Sequence, residues 1–282
     1  AWVVPGTTTV SSGSNIILNQ AANNFGGAVS VTGVDVTLVD ANAIDLGAST
    51  VTGNYAVTAT AGGGITDSGV LNITDTSTFT AAGGQSILLD QSSTFTSAVT
   101  FASGGTLADV SITDSNDFDL EALTLSGNLV VASGGSITQS GNLTIGGTSS
   151  FTTSTTTGTI LCGGNPVGTN CNSPGGTNAF SGTVKLTTTG SSAHVYIDNG
   201  TTALQIAGGS SVGGNLRLVS GNASGITDSG TVTVGGNLTA TTDANSGVID
   251  MGTLAVTGTI TLTTDGSGAA TIDNGTANID IA

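Results

Sequence analysis

One phrase recurs three times along this chain, as GGITDSGVLNI from Gly63, GSITQSGNLTI from Gly135 and SGITDSGTVTV from Ser224. A phrase that returns at wide intervals is typical of proteins built from stacked, similar coils, in which each repeat buries its apolar face against its neighbours. The recurrence therefore restricts the fold strongly, and it favours a scaffold over an enzyme.

The phrase belongs to a longer unit whose landmarks return in the same order. Before each copy of the phrase comes a Gly-Asn pair, at Gly53, Gly127 and Gly214. Before that pair comes an Asp-led stretch, which starts at Asp40, Asp114, Asp198 and, in a fourth copy, Asp273. The spacing of these starts defines a super-unit of about 75 residues, which is long enough for three to four coils of about 20 residues each.

The third super-unit carries an insertion. An aromatic residue followed four positions later by Val marks each copy, at Phe25, Phe95 and Phe180, and the extra residues precede the last of these. They fall within CGGNPVGTNCNSPGG, which holds both cysteines. We expect a loop at about 162–176 that projects from between two coils.

Short apolar and polar alternation predicts strands throughout. It appears in runs such as Leu129–Val131, Leu143–Ile145, Leu216–Leu218 and Val232–Val234, bounded by Gly, Asn, Asp and Ser. No window has helical spacing, and the residues that favour helices are scarce beside Gly, Thr and Ser.

Repetition decides between a sandwich and a solenoid, because only a solenoid reuses one coil. We predict an all-β fold, a parallel β-helix of roughly 14 coils of about 20 residues, as a single domain over residues 1–282. Its core is expected to be a column of stacked Ile, Leu, Val and Phe, with the seven Phe as stacking positions.

Three stretches resemble a known family: NNFGGAVSVTG from Asn23, DLGASTVTGNYAVTATAGGGITDSG from Asp45 and SGTVTVGGNLTATTD from Ser229. They are similar to the central repeats of filamentous-haemagglutinin-type exoproteins of two-partner secretion and of related autotransporter adhesins. The resemblance implies a right-handed parallel β-helix, secreted across an outer membrane and displayed as a fibre in adhesion, aggregation or biofilm. The NPNG-type signature of that family's secretion domain does not occur in this sequence.

Charge excludes several partners. Two Lys and Arg against 18 Asp and Glu give a net charge of −16, which is unsuited to nucleic acid or to an anionic membrane surface. No run of 18 apolar residues is present, and AWVVPGTTTV lacks the charged region of a signal peptide, so we expect no membrane insertion by this segment.

The cysteines lie nine residues apart, at Cys162 and Cys171. Outside the cell this spacing in a Gly- and Pro-rich loop favours a disulfide, and the alternative is two free thiols. A zinc site is disfavoured, because His194 is the only histidine.

Catalysis is disfavoured by residue types. A polysaccharide lyase needs several cations and a base, and this chain offers only Lys185, Arg217 and His194. A glycosidase needs two carboxylates, for which Asp117 with Asp119, or Asp243 with residues on adjacent coils, are candidates. The Asp residues of DNG, TDSG and TDG are better explained as turn residues that bond the backbone two positions on.

Three weaker patterns remain. Gly209, Ser211 and Gly213 match the nucleophile-elbow spacing, as expected by chance in a chain with 45 Gly. Asp67 and Asp228 stand at equivalent turns where they could bind calcium weakly, although no metal or cofactor is expected. Thr-rich rows from Thr231 and Thr261 are typical either of flat ligand-binding faces or of the solvated side of a coil.

The sequence as a whole predicts a non-enzymatic, extracellular structural and adhesive protein, a β-helix fibre segment of a bacterial surface adhesin. Its expected partners are glycans or proteins on host or neighbouring cells, bound through the Cys162 to Cys171 loop or a Thr- and Asn-rich face. One alternative is a filament subunit that associates end to end through uncapped coils. A polysaccharide-binding or -cleaving enzyme is the remote alternative.

Six sequons, at Asn72, Asn142, Asn199, Asn222, Asn237 and Asn274, are expected to be turn residues.

Overall fold

A computed structural model describes residues 1–161 and 177–275 of the chain. In these residues every regular element is a β-strand, and the strands pair in parallel. The chain divides into two compact units. The first comprises Ala1–Asn116 with Thr124–Val130, and the second comprises Asp117–Leu123 with Val131–Ala282.

The strands of the first unit are short, and most contain three to five residues. They are β1 (Val3–Val4), β2 (Thr8–Ser11), β3 (Ile16–Leu18), β4 (Asn24–Phe25), β5 (Val29–Gly33), β6 (Val36–Asp40), β7 (Ile44–Leu46), β8 (Ser49–Val51), β9 (Tyr55–Ala59), β10 (Ile65–Asp67), β11 (Leu71–Ile73), β12 (Ser77–Ala81), β13 (Ile87–Phe95), β14 (Val99–Ser103), β15 (Val110–Asp114) and most of β17 (Leu123–Leu125).

The second unit repeats this pattern of short strands. Its strands are β16 (Phe118–Leu120), most of β18 (Leu129–Ser133), β19 (Ile137–Gln139), β20 (Leu143–Ile145), β21 (Ser149–Thr153), β22 (Ala179–Phe180), β23 (Val184–Thr187), β24 (Val195–Asp198), β25 (Leu204–Ile206), β26 (Ser210–Val212), β27 (Leu216–Ser220), β28 (Ile226–Asp228), β29 (Val232–Val234), β30 (Leu238–Thr242), β31 (Ile249–Met251), β32 (Leu254–Val256), β33 (Ile260–Thr263) and β34 (Ala270–Ile272).

Equivalent strands pair from coil to coil. In the second unit β24, β27, β30 and β33 form one sheet, in which Leu216 pairs with Leu238 and Leu238 with Ile260. Paired strands lie about 22 residues apart, and the chain forms a β-solenoid of about 12 turns. The predicted solenoid is confirmed. The predicted coil of about 20 residues is slightly short, and the predicted number of roughly 14 coils is correspondingly high.

Alternate side chains of most strands point inward and form the core. In β9, Tyr55, Val57 and Ala59 are buried, whereas Ala56 and Thr58 are partly exposed. The next coil repeats the pattern in β12, where Phe79 pairs with Val57. Since each backbone is hydrogen-bonded to the coil before and after it, an inward residue lies above its equivalent. The predicted column of apolar residues is therefore confirmed.

Aromatic residues contact one another within this column. The ring of Phe79 meets Tyr55 edge-on at 6.0 Å and stacks with Phe101 at 6.4 Å, and Phe151 meets Phe180 edge-on at 5.8 Å. These separations suit attractive ring pairs. All the Phe except the partly exposed Phe101 are buried.

Candidate functional surfaces of the solenoid

A row of polar side chains links the coils of the second unit at one turn. Each member immediately precedes the first residue of a strand or, for Thr159, a single bridge residue, Ile160. The side chains of Asp117, Ser136, His194, Asn215 and Asn237 each accept the backbone N–H of the equivalent residue one coil later. Asn215 Oδ1 accepts from Asn237 at 2.9 Å, and Asn237 Oδ1 accepts from Thr259 at 2.9 Å. We call such rows turn ladders. This one comprises Asp117, Ser136, Thr159, His194, Asn215, Asn237 and Thr259.

The first unit has the same arrangement. Asn15 Oδ1 accepts from the Asp35 N–H at 3.2 Å, and Asp35 Oδ1 accepts from Asn54 at 2.9 Å. In a second short ladder Ser86 Oγ accepts from the Asp109 N–H at 3.2 Å, and Asp109 Oδ1 accepts from the Asn128 N–H at 2.7 Å. Each such bond satisfies a turn amide that no strand partner serves, so the ladders hold successive turns together.

The ladders explain the Gly-Asn landmark of the sequence. An added Cβ at Gly53, Gly127 or Gly214 would lie closer than 3 Å to the acceptor atom of the preceding rung. Gly236 and Gly258, which precede two further rungs, are confined in the same way. At these five positions the acceptor of the preceding rung occupies the space of a side chain, so glycine is favoured there, and the next residue supplies the N–H that the acceptor binds. The Gly-Asn pair is visible in the sequence. The reason for its glycine, which is the acceptor on the preceding coil, is visible only in the structure.

A second repeated feature is a buried acceptor at the start of each Asp-led stretch. Asp40, which is 0% exposed, accepts from the Phe25 N–H at 2.8 Å and from the Asn42 N–H at 2.8 Å. In the third copy two adjacent residues share the two contacts that Asp40 makes alone. Asp198 accepts from Gly200 two residues on, whereas buried Asn199 accepts from the Phe180 N–H at 2.8 Å.

This geometry confirms the turn interpretation for DNG and corrects it for TDSG. Asp198 and Asp273 bond the N–H two residues on, as predicted. Asp67 instead accepts from the Asp90 N–H at 2.8 Å, and Asp228 accepts from the Thr253 N–H at 3.2 Å. Both partners lie one coil later.

Asp67 has the clearest electrostatic perturbation among these carboxylates. Burial raises its pKa to about 6, and the neighbouring carboxylates of Asp90 and Asp45 act in the same direction. The N–H groups of Gln91 and Asp90 oppose the shift by bonding the charged form. The Asp67 carboxyl therefore titrates closer to neutral pH than an ordinary Asp does.

The candidate carboxylate pair for glycoside hydrolysis is bound to the neighbouring coil. Asp117 Oδ1 accepts from the Ser136 N–H at 2.6 Å, and Asp119 Oδ1 accepts from the Thr138 hydroxyl at 2.8 Å. Asp119 also accepts from the Ser140 hydroxyl. Asp243 is exposed on the turn after β30. The contacts of Asp117 and Asp119 are those of coil-to-coil linkers.

The three candidate catalytic cations have separate structural contacts. Lys185 Nζ donates to the Gly208 carbonyl at 3.0 Å, and the Arg217 guanidinium lies 4.6 Å from the centre of the Tyr196 ring. His194 Nδ1 accepts from the Asn215 N–H at 2.8 Å.

Other predicted sites are placed as follows. Ser211 lies in the middle of β26, and no helix follows it in the described part of the chain, so the nucleophile-elbow geometry is absent there. Within residues 1–161 and 177–275, no three His, Cys, Asp or Glu side chains come together to hold a metal ion, and no helix has the length and hydropathy to span a membrane. Cys162 and Cys171 lie outside the described residues, as does the predicted loop.

The sequons do not all lie in turns. Asn142, Asn222 and Asn237 do, but Asn72 is the exposed centre of β11. Asn199 and Asn274 are 0% and 3% exposed, so a glycan could not be attached to them in the folded chain.

One outer face of the first unit carries no charge. The outward positions of β6, β9, β12 and β14 form two rows, in which paired residues follow one another from coil to coil. We call this the threonine face; its residues are Thr37, Ala56, Thr78 and Thr100 in one row and Val39, Thr58, Thr80 and Ala102 in the other. Its neutrality contrasts with β7, β10 and β13, which carry Asp45, Asp67 and Asp90.

Comparison with known proteins identifies one family. A family model described as repeats of unknown function (DUF5649) matches residues 1–32, 33–102 and 107–187. The second and third matches start at positions 33 and 107, and this spacing equals that of the first two Asp-led stretches, at Asp40 and Asp114. No curated protein and no solved structure matches the chain. Since the matched segments cover well over half of it, the chain belongs to the DUF5649 family of repeats of unknown function.

Proposed function

We propose that this β-solenoid is a non-enzymatic, extracellular structural and adhesive protein, a fibre segment displayed on a bacterial surface. The observation that carries the proposal is the threonine face, a neutral surface on a chain whose net charge is −16. Its hydroxyl and methyl groups suit glycans or polar protein surfaces on host or neighbouring cells. The resemblance to filamentous-haemagglutinin-type repeats supports the same assignment.

The size of this face sets the strength of binding to expect. Neighbouring strands lie about 4.8 Å apart, so each row of four residues spans only about 14 Å. One such contact is weak, and useful adhesion would come from many copies acting together. A multivalent assay is therefore the appropriate one.

The test is adhesion of beads coated with the chain to glycan arrays and to intact cells. We expect the double variant Thr78→Glu with Thr80→Glu to reduce bead binding at least tenfold. The matched control, Thr231→Glu with Thr233→Glu, adds the same two charges in the second unit and should bind as the original chain does. Equal binding by both variants, or none by the original chain, would exclude the threonine face as the adhesive surface.

A second candidate function is end-to-end assembly into a filament. In the described residues β1 pairs only with β4 and β3 only with β6, so each has one unpaired edge. Beside these edges Trp2, Val3 and Ile17 are 52%, 72% and 64% exposed. An edge of this kind pairs readily with another strand.

Electron microscopy across a concentration series tests this alternative. Unbranched filaments that shorten in Ile17→Lys would support it, because a charge beside an edge strand opposes pairing. Discrete particles at every concentration would exclude it and leave the adhesive proposal intact.

A further inference from the structure

One rung of the second unit's turn ladder differs chemically from the others. His194, the only histidine of the chain, occupies a position held by Asp, Ser, Thr or Asn on the other coils. Its Nδ1 accepts the Asn215 N–H at 2.8 Å, and a backbone amide can only donate. The imidazole is therefore neutral, with its proton on Nε2.

We propose that His194 is an acid-sensitive joint between two successive coils of the solenoid, which loosens when the imidazole is protonated. Protonation places an N–H on Nδ1 and directs it at the N–H of Asn215, so an attractive contact becomes repulsive. The next rungs cannot respond in this way, because Asn215 and Asn237 accept through amide oxygens that do not titrate.

Local packing limits any adjustment. His194 is 9% exposed, and its Nδ1 lies 2.5 Å from the position that a Cβ of Gly214 would take. The nearby Gly214 N–H is already bonded to the Ala193 carbonyl at 3.0 Å. Release of the rung therefore requires the turn after β26 to separate from the turn before β24.

Among the described residues, charged and titratable groups that interact with one another beside His194 in the sequence, on β24 and the two strands that follow it in the sheet, come from three elements. Tyr196 and Asp198 belong to β24, Arg217 belongs to β27, and Asp243 follows β30. Burial raises the pKa of Tyr196, so its phenol stays neutral wherever His194 titrates. On the preceding coil, Thr159, Ile160 and Leu161 carry no charge.

The direction of the pH dependence follows from burial, which lowers the pKa of His194 from its usual value of 6.5. The unfolded state then takes up a proton at a higher pH than the folded state does. Stability is therefore complete above about pH 6.5 and falls as the pH drops through the folded pKa. Each pKa unit between the two states changes the unfolding equilibrium tenfold.

The experiment is a pH titration of the intact chain by amide NMR, from pH 8 to pH 4.5. We expect the Asn215 amide to shift and to lose at least tenfold of its exchange protection, corrected for intrinsic rates, as His194 titrates. The Asn237 amide, which is bound by Asn215, serves as the internal control and should keep its protection over the same range.

A matched variant provides the second measurement. His194→Asn installs the acceptor used by the next two rungs, so it should fold at pH 7.5 and abolish the selective loss at Asn215. The inference is overturned if the original chain keeps equal protection at both amides at low pH, or loses both in one step. It is also overturned if a folded His194→Asn chain remains as acid-sensitive at Asn215 as the original. Binding through the threonine face is a separate readout, so either proposal can fail alone.

Discussion

At the scale of single residues, the structure distinguishes Asp from Asn by their surroundings. Buried Asp40 receives two backbone N–H groups and donates nothing, which suits a carboxylate. Buried Asn199 accepts one N–H and donates from Nδ2 to the carbonyls of Phe180, Thr202 and Ala203. Although the two residues stand at equivalent places in the repeat, they are not interchangeable.

We therefore expect Asn199→Asp to destabilise the fold by at least about 2 kcal/mol at pH 7, because a buried carboxylate would face three carbonyl oxygens. A protonated carboxyl can donate again, so the folded pKa of the new group is raised and stability should recover as the pH falls. Urea unfolding at pH 7.5 and pH 5 measures this. The control Asn237→Asp, which keeps the acceptor on an exposed rung, should change stability little. Loss of equal size in both variants would contradict the argument.

Asp67 permits a pH prediction of its own. Its folded pKa of about 6 lies above the ordinary value of 3.8, so the folded state binds the extra proton between these values. Stability from this group falls as the pH rises from about 4 to 6, and the carboxylate is unfavourable at pH 7. Asp67→Asn keeps an acceptor for the Asp90 N–H and removes the charge. It should stabilise the chain at pH 7 and flatten the pH profile of unfolding. Asp75→Asn, on an exposed turn, is the control, and an identical gain there would refute the local explanation.

At the scale of elements, turns matter as much as strands. Where glycine precedes a rung, as at Gly214, Gly236 and Gly258, the preceding acceptor fills the space that a side chain would need. The two residues of the Gly-Asn pair therefore act together, since the glycine leaves room for the preceding acceptor and the Asn supplies the N–H that it binds. Repetition of the pair keeps successive turns in register.

Gly236→Ala tests this device. The new Cβ would press on Asn215 Oδ1 and the Gly214 backbone, and we expect a loss of about 1–3 kcal/mol in the free energy of unfolding. Gly104→Ala is the matched control, because nothing lies within 4 Å of the added Cβ, and it should stay within about 0.5 kcal/mol of the original chain. Thermal and urea unfolding give both values. If Gly236→Ala left the free energy of unfolding unchanged, the turn ladder would be able to move away from the new Cβ without loss of stability.

The sequence predicted the elements better than their hydrogen bonds. Period-two alternation located β20, β27 and β29, because an inward side chain must recur every second residue wherever one face is buried. The buried acceptor of the third copy, Asn199, directly follows Asp198, and the sequence pattern does not show which of two adjacent polar residues is buried. The coil-to-coil role of Asp67 could not be found either, because its donors are 23 and 24 residues away along the chain.

At the scale of the whole molecule, the chain has only two Lys and Arg residues. Trypsin cleaves after Lys and Arg, and this chain offers it only Lys185 in β23 and Arg217 in β27. Both residues lie in strands that are paired within the stack, so their backbones cannot enter a protease cleft without local unfolding.

We therefore expect the folded chain to survive trypsin under native conditions and to yield three fragments, 1–185, 186–217 and 218–282, once it is unfolded in urea. Gel electrophoresis with mass spectrometry separates the outcomes. Rapid native cleavage at Lys185 or Arg217 would show that these strands open readily, in conflict with their pairing.

The turn ladder also has a consequence for how such a chain can change in length. Since Asn215 and Asn237 are equivalent rungs, joining residue 215 directly to Leu238 would give Asn215 the partner that Asn237 now has, namely the Thr259 N–H. Removal or duplication of a complete coil therefore leaves no donor or acceptor of this ladder without a counterpart. Recombination between neighbouring repeats in a gene could thus alter the copy number of coils while each product remains foldable.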